Sequence, residues 1–255
     1  MKKKIYTAGI AFCALMLGVS LFCIISHYAE GKRHTDDFAR LADLVEEAGE
    51  SEEPGHGTQE EENVRLLHYQ ELAEQNSDLA GWISIEGTTV DYPVMYTPES
   101  PDFYLKHNFE KERSDYGVPY IAEDCDPFGN GDNLIVYGHH IKGGRMFGAL
   151  MDYTKKEFYK SHKTIRFDTL EETAEYEIIA VFKTTVYDDA GFPYYLFTSA
   201  HKEEEFTAYV ETCRELSLYD MGETAVYGDR LLTLSTCEYS APNGRLVVVA
   251  KKVTE

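Results

Sequence analysis

The chain has 255 residues, of which 43% are hydrophobic, and this is enough to bury one sizeable core. Its formal net charge of −21 at pH 7 argues against a nucleic-acid partner, because nucleic-acid phosphates require basic surfaces. The five cysteines form no Cys-x-x-Cys pair and no spaced Cys/His pattern, so no zinc site is predicted.

Residues 1–29 are predicted to be a cytoplasmic lysine cluster followed by a transmembrane signal anchor. After Met-Lys-Lys-Lys, the uncharged run from Ile5 to Ala29 is long enough to cross a hydrocarbon core of about 30 Å. The positive-inside rule keeps the lysines in the cytoplasm and puts the rest of the chain outside the cell. A cleaved signal peptide is the alternative, although the run exceeds the usual apolar region of about 7–15 residues.

Residues 30–66 are predicted to be a helical and acidic spacer. The apolar residues Phe38, Leu41, Leu44 and Val45 recur at helical spacing. The following SEEPGHGTQEEEN is interpreted as a solvated spacer, because it is acidic and contains Pro and Gly. Its carboxylates lack the alternating spacing of a calcium loop, so no metal site is predicted there. A second amphipathic helix is expected at about residues 63–75, and residues 67–255 are assigned to an extracellular folded domain.

From Gly81 onward, short β-like runs follow one another, separated by turn residues. They are GWISI, TTVDYPVMY, GVPYIA, NLIVYG, TIRFDT, EYEIIAVFKTTVY, LLTLST and RLVVVAKK. Eight such runs in about 170 residues indicate a barrel or a sandwich. Two insertions are predicted to be helical, GRMFGALMDYTKKEFYKSH and HKEEEFTAYVETCRELSLYD.

Three cysteines lie outside the apolar N-terminal segment: Cys125, Cys213 and Cys237. Because this number is odd, at least one exported thiol is free or pairs with another chain. Cys213 is predicted to be a core residue, since free cysteine behaves as a small hydrophobe. Its helical stripe consists of Phe206, Val210, Cys213 and Leu216.

The stretch TLSTCEYSAPNGRLVVVAKK places Cys237 at the end of one β-like run and Arg245 at the start of the next. If the runs pair antiparallel with these two residues opposite each other, their side chains share a face with Ser235 and Thr233. A guanidinium there would stabilise a thiolate or an oxyanion. A one-residue slip would separate the two side chains, and the hairpin alone equally allows Cys237 to be a buried strand end and Arg245 a surface residue.

The best candidate for a partner base lies in NLIVYGHHIKGG, where an apolar run leads into His139 and His140. Neighbouring side chains of an extended segment point to opposite faces, so only one of the two histidines can face a common site. A cysteine with a histidine as general acid and base is a known arrangement for acyl transfer. The other histidines mostly lie in spacers or helices, where a solvated side chain is the default.

The motifs occur in an ordered set: TLSTC with an arginine eight residues on, YGH about 100 residues earlier, GWISIEGTTVDYPVMY, FYLKHNF, NLIVYGHHIKGGRMFGAL, FYKSHKTIRFDT and RLVVVAK. From about Leu72 onward, this set resembles the sortase family. More narrowly, it resembles class B sortases, which are membrane-anchored cysteine transpeptidases of Gram-positive bacteria. The resemblance implies a mostly β fold, an eight-stranded closed sortase-type β-barrel with N-terminal helices and a helix between the penultimate strands.

The resemblance implies a catalytic triad of Cys237, His139 and Arg245. The Cys237 thiolate would attack the carbonyl after Thr in a C-terminal sorting motif of the NPxTx or SPxTx type. His139 would protonate the leaving amine and then deprotonate the incoming one, and Arg245 would hold the developing oxyanion. A peptidoglycan cross-bridge amine would resolve the thioacyl enzyme. His140 would then point elsewhere, as a structural or exposed residue.

Six further residues match substrate-groove positions of the family: Leu105, Tyr137, Tyr195, Leu196, Ser235 and Glu238. For Leu105 and Leu196, ordinary packing is an equal alternative. Family members commonly carry asparagine where this chain has Pro101, which affects recognition of the first motif residue. The expected partners are surface proteins with a C-terminal sorting signal, the cross-bridge amine and the cytoplasmic membrane, without a cofactor or metal.

Two other functions remain open on the sequence. A pilin-polymerising sortase would use the same triad with a lysine of another protein as the nucleophile. A non-catalytic exported β-barrel module would use the cysteine and the histidine only structurally.

Overall fold

The structure is a computed structural model that describes residues 2–46, 59–129, 131–187 and 191–254. The chain divides into two compact units, Met1–Asp43 and Leu44–Glu255. The described residues of the first unit all lie in helix α1, which spans Lys2–Glu46. Its part Phe12–Ala42 is long and apolar enough to cross a membrane, by length and composition only, and a signal sequence near the N-terminus would pass the same test. Of the predicted helical and acidic spacer, residues 30–66, the part from 47 to 58 lies outside the described residues.

Helix α2, Gln59–Gln75, begins a few residues before the predicted start and packs on the first strand of the second unit. Tyr69 of α2 stacks on Trp82, with ring centroids 6.0 Å apart. The Tyr69 hydroxyl donates a hydrogen bond of 3.0 Å to the buried carboxylate of Asp168. These contacts attach α2 to the barrel by both apolar and polar groups.

All eight predicted strands form, and they close into a barrel in the order β1-β2-β3-β4-β9-β10-β8-β7. Two further short strands, β5 and β6, form a separate hairpin. The strands are β1 (Leu79–Ser84), β2 (Asp91–Met95), β3 (Tyr120–Ile121), β4 (Asn133–Tyr137), β5 (His140–Ile141), β6 (Arg145–Met146), β7 (Thr164–Thr169), β8 (Glu175–Thr185), β9 (Leu231–Cys237) and β10 (Gly244–Lys252). The closed eight-stranded barrel predicted from the sequence is therefore confirmed.

The first predicted helical insertion is only partly helical. It forms the short strand β6, a 3₁₀ helix at Phe147–Thr154 and the short helix α3 at Lys156–Ser161. Phe147, Leu150 and Tyr153 are all fully buried. Their spacing of three residues is the period of a 3₁₀ helix, so the buried side chains favour this tighter coil over an α-helix.

The second insertion forms helix α4, Glu203–Leu216, which packs on β8. Phe206, Val210 and Cys213 are buried as predicted, whereas Leu216 at the end of the helix is 41% exposed. In the chain, α4 lies between β8 and β9, the position predicted for it.

Candidate active site

Three neighbouring strands, β4, β9 and β10, bring the predicted triad to one end of the barrel. Strands β4 and β9 are parallel, and Tyr137 lies opposite Ser235 in their register. His139 and Cys237 each follow two residues later, so both lie just beyond the last paired position of β4 and β9, at the same level. Since side chains alternate along an extended chain, both continue the face of Tyr137 and Ser235.

The β9–β10 register places Arg245 opposite Cys237, as assumed from the sequence. The Glu238 amide donates to the Gly244 carbonyl at 2.9 Å, so Glu238 and Gly244 form a hydrogen-bonded position of the ladder. Cys237 and Arg245 therefore occupy a non-hydrogen-bonded position, where facing Cα atoms are only about 4.5 Å apart. This register brings the guanidinium side chain next to the thiol.

The triad lines a cleft of about 480 Å³. Four of the six predicted substrate-binding residues also line it: Leu105, Tyr137, Tyr195 and Ser235. The rest of the lining comes from loop and strand residues: Asp102, Tyr120, Glu123, Gly138, Val186, Tyr187, Tyr194 and Thr236. The cleft therefore combines one thiol, one imidazole, one guanidinium and a largely aromatic wall.

The His139 ring is held by a hydrogen bond at Nε2, the ring nitrogen farther from its backbone. Its Nε2 lies 2.8 Å from the Leu105 carbonyl oxygen, which can only accept, so Nε2 carries the hydrogen and donates it. In the neutral ring, Nδ1 is then the acceptor nitrogen. Gly117 packs against this ring with φ of 62°, and a Cβ there would lie 2.5 Å from the Tyr104 carbonyl oxygen and 3.2 Å from His139 Cδ2. Only glycine fits at this position.

The backbone of His139 is fixed by its neighbours as well. The Phe147 amide donates to the His139 carbonyl at 3.0 Å. Gly138 must lack a side chain, because a Cβ would lie 2.5 Å from the Phe147 ring. His139 therefore leaves β4 along a path determined by the buried Phe147.

Cys237 differs from the other two cysteines of the second unit in exposure. It is half-exposed, whereas Cys125 and Cys213 are buried. Burial raises the pKa of Cys125 to about 11 and that of Cys213 to about 12, so neither forms a thiolate near neutral pH. The two buried thiols are structural, and Cys237 is the cysteine that a substrate in the cleft can reach.

The floor of the cleft is fixed by a bond between Ser235 and Tyr194. Their hydroxyl oxygens are 2.6 Å apart, and both residues are almost fully buried. Burial raises the pKa of Tyr194 to about 12, although Ser235 and Arg245 act in the opposite direction. Tyr194 is therefore a neutral phenol near pH 7, so it does not offset the positive charge of Arg245.

Two predicted substrate-binding residues, Glu238 and Leu196, lie outside the lining of the cleft. The Glu238 carboxylate accepts bonds from Lys183 at 3.0 Å and from the Ser240 hydroxyl and amide. Burial raises its pKa, but the bonds from Ser240 and Lys183 outweigh this and lower it below the usual value. The Leu196 side chain is 71% exposed. In this structure Glu238 stabilises the β9–β10 turn, and a contact of either residue with substrate stays a prediction.

Sequence reasoning did not find Asp102, which follows Pro101 and lines the cleft. Asp102 has a positive φ of 61°, and its carboxylate accepts a 2.5 Å bond from the Tyr120 hydroxyl. It lies in a loop, where no strand or helix periodicity indicates which way a side chain points. Among the described residues, no group of three or more His, Cys, Asp or Glu side chains could hold a metal ion.

A family model for the sortase domain matches residues 83–253 of the chain, which include every residue of the predicted triad. The chain belongs to the sortase family. Sortases are cysteine transpeptidases, so the predicted family and enzyme class are confirmed.

Two relatives narrow the similarity to one branch of the sortases. Sortase B of Staphylococcus aureus is 33% identical over 193 residues, which make up 75% of this chain and 76% of that protein. Sortase B of Listeria monocytogenes is 33% identical over 188 residues, covering 72% of this chain and 74% of that protein. The S. aureus sortase B–substrate complex superimposes with a TM-score of 0.75 at 27% identity, covering 89% of this chain and 99% of that one.

Proposed function

We propose that Cys237 is the nucleophile of this sortase, His139 its general acid and base, and Arg245 its oxyanion partner. The observation that carries the proposal is the convergence of the three side chains, from the ends of three adjacent strands, on one cleft. The same cleft contains no second exposed cysteine among its described lining residues.

The reaction begins when the Cys237 thiolate attacks the carbonyl after Thr in a sorting motif. The electron pair of the carbonyl moves to its oxygen, and Arg245 donates hydrogen bonds to this developing oxyanion. When the oxyanion collapses, the C–N bond breaks and His139 protonates the leaving amine. The product of this half-reaction is a thioacyl enzyme at Cys237.

The second half-reaction uses the same groups in reverse. An incoming amine transfers a proton to His139 and attacks the thioester carbonyl, and collapse of the new oxyanion expels the Cys237 thiolate. We propose a peptidoglycan cross-bridge amine as this nucleophile and a motif of the NPxTx or SPxTx type as the acyl donor. The similarity to S. aureus sortase B, whose structure was solved as a substrate complex, supports a sorting-signal protein as the acyl donor.

We propose that α1 anchors the enzyme in the cytoplasmic membrane, with the N-terminal lysines inside and the barrel outside. The length and apolar character of Phe12–Ala42 support a single span. The three lysines before the span support this orientation. In this arrangement the cleft works on secreted proteins and on wall peptides.

Arg245→Ala is expected to lower kcat for sorting-peptide cleavage by about 10²–10³-fold, the usual cost of losing an oxyanion donor. Arg245→Lys should recover only part of this loss, because a lysine cannot reproduce the planar fork of donors. Steady-state kinetics of a fluorogenic peptide measure both effects. Arg214→Ala, on the exposed surface of α4, is the matched control and should keep the wild-type rate. Equal rates for wild type and Arg245→Ala would exclude the oxyanion role.

The acceptor amine and the sorting motif can be identified in one experiment with the full-length chain in detergent micelles. In a peptide library that carries every amino acid at each motif position, the enzyme is expected to cleave the NPxTx or SPxTx sequences, after Thr. With a cross-bridge peptide and a lysine-bearing pilin-type peptide present together, mass spectrometry should find the acyl group on the cross-bridge amine. Joining to the lysine side chain would instead support the pilin-polymerising alternative, and cleavage at unrelated sequences would contradict the proposed substrate class.

A further inference from the structure

His140 contacts the backbone of the cysteine strand, and no step of the reaction described above uses this contact. Its Nδ1 lies 2.8 Å from the carbonyl oxygen of Cys237. Because a carbonyl oxygen only accepts, Nδ1 carries the hydrogen, and it does so in both the neutral and the charged ring. The ring also lies against Tyr239, with centroids 5.1 Å apart and an angle of 32° between the planes.

This contact takes the place of the next hydrogen bond in the parallel β4–β9 ladder. The Gly138 amide donates to the Ser235 carbonyl at 3.1 Å, and a parallel ladder repeats this pattern every two residues. The next bond would join the backbone N–H of His140 to the carbonyl of Cys237. The backbone of His140, however, has turned away to pair with Met146 of β6. The His140 side chain makes the bond instead.

His139 is therefore attached to β9 on both sides. Before it, Gly138 is bonded to Ser235 through its amide and to the Thr236 hydroxyl, at 2.8 Å, through its carbonyl. After it, the His140 side chain is bonded to Cys237. The second attachment joins the residue next to the proposed base directly to the backbone of the proposed nucleophile. Without it, the chain between Gly138 and β5 is held to β9 at one end only.

We propose that His140 is a positioning residue, which holds His139 at its working distance from the Cys237 thiol by donating from Nδ1 to the Cys237 carbonyl. The inference rests on the proposed roles of Cys237 and His139. A displacement of about 1 Å between reacting groups costs about 100-fold in rate. A single hydrogen bond contributes little to the stability of a whole domain. Loss of this bond should therefore affect rate far more than folding.

Two variants separate the donor of His140 from its ring. His140→Asn keeps an N–H donor at the position of Nδ1 and removes the ring. His140→Phe keeps a ring against Tyr239 and removes the donor. In the full-length chain in micelles, His140→Phe is expected to lower kcat for a sorting peptide about 10–100-fold with little change in KM. His140→Asn should retain kcat within about threefold of wild type, because a similar donor remains.

Tyr219→Phe is the matched control, because it also keeps a ring and removes one side-chain hydrogen bond to a backbone carbonyl. The Tyr219 hydroxyl donates to the Tyr153 carbonyl at 2.7 Å, and neither residue lines the cleft. It should change the melting temperature about as much as His140→Phe and leave kcat unchanged. If His140→Phe does not fold, His140→Ala, which adds no bulk, replaces it with the same expected loss. Wild-type kcat in the donor-less variant, or an equal loss in His140→Asn, would overturn the inference. Absence of cleavage by wild type would instead contradict the proposed function itself.

Discussion

Cys237→Ala is expected to reduce cleavage of a fluorogenic sorting peptide to the uncatalysed background, a loss of at least about 10⁴-fold in kcat/KM. The thiol is the only protein group that bonds covalently to substrate in the proposed mechanism, and nothing else among the described residues of the cleft offers a comparable nucleophile. The measurement is the initial rate with the full-length chain, supported by mass spectrometry of the trapped thioacyl enzyme in wild type. The variant should show no such adduct.

Cys213→Ala provides the control, because it removes a thiol of the same domain that is fully buried in α4. Its stability should fall by about 1 kcal/mol, a typical value for a small core truncation, while its activity at 25 °C stays at the wild-type level. A methanethiosulfonate probe should also label Cys237 well before Cys125 or Cys213, since both of these are buried. Turnover by Cys237→Ala would exclude Cys237 as the nucleophile, and equal labelling of all three thiols would favour a structural role for Cys237.

The barrel was predictable because each of its strands carries its own local signal. Alternating and β-branched runs such as EYEIIAVFKTTVY and RLVVVAKK require only neighbouring residues to be recognised, and both form long strands. The hairpin of β5 and β6 was not predictable in this way. Each of these strands has only two residues, and the apolar side chains that follow are compatible with several kinds of helix.

The site was predictable only where the family resemblance added to the local patterns. The antiparallel hairpin indicated Arg245 as a neighbour of Cys237 because a short turn connects them. The approach of His139 depends on the parallel pairing of β4 with β9, which joins positions 98 residues apart, such as Tyr137 and Ser235. No periodicity carries that information, and the same holds for the ion pair between Glu238 and Lys183.

His140 shows how far the alternation argument extends. The sequence indicated that only one of the two adjacent histidines can face the site, and the structure places His139 in the cleft lining and His140 outside it. The expectation that His140 points elsewhere was therefore correct in direction. The alternation of side chains did not predict the hydrogen bond from His140 Nδ1 to the Cys237 carbonyl. That bond depends on where β4 separates from β9.

His139→Gln is expected to lower kcat for an amide sorting peptide by about 10²–10⁴-fold, the range for removal of a general acid and base. Glutamine keeps an N–H donor that can reach the Leu105 carbonyl, now bonded to His139 Nε2, but it cannot exchange a proton near neutral pH. The leaving amine must then depart without protonation. Steady-state kinetics of wild type and variant measure the loss, and His201→Gln, an exposed histidine before α4, should leave the rate unchanged.

A thioester version of the same peptide distinguishes loss of the proton donor from general damage to the cleft. A thiolate leaves without protonation, because its conjugate acid has a pKa of only about 8.5. The loss caused by His139→Gln should therefore be clearly smaller for the thioester than for the amide. Equal losses for both substrates would mean that His139 acts through the Cys237 thiolate or through the shape of the cleft. In that case the protonation of the leaving amine would have to be assigned to another group.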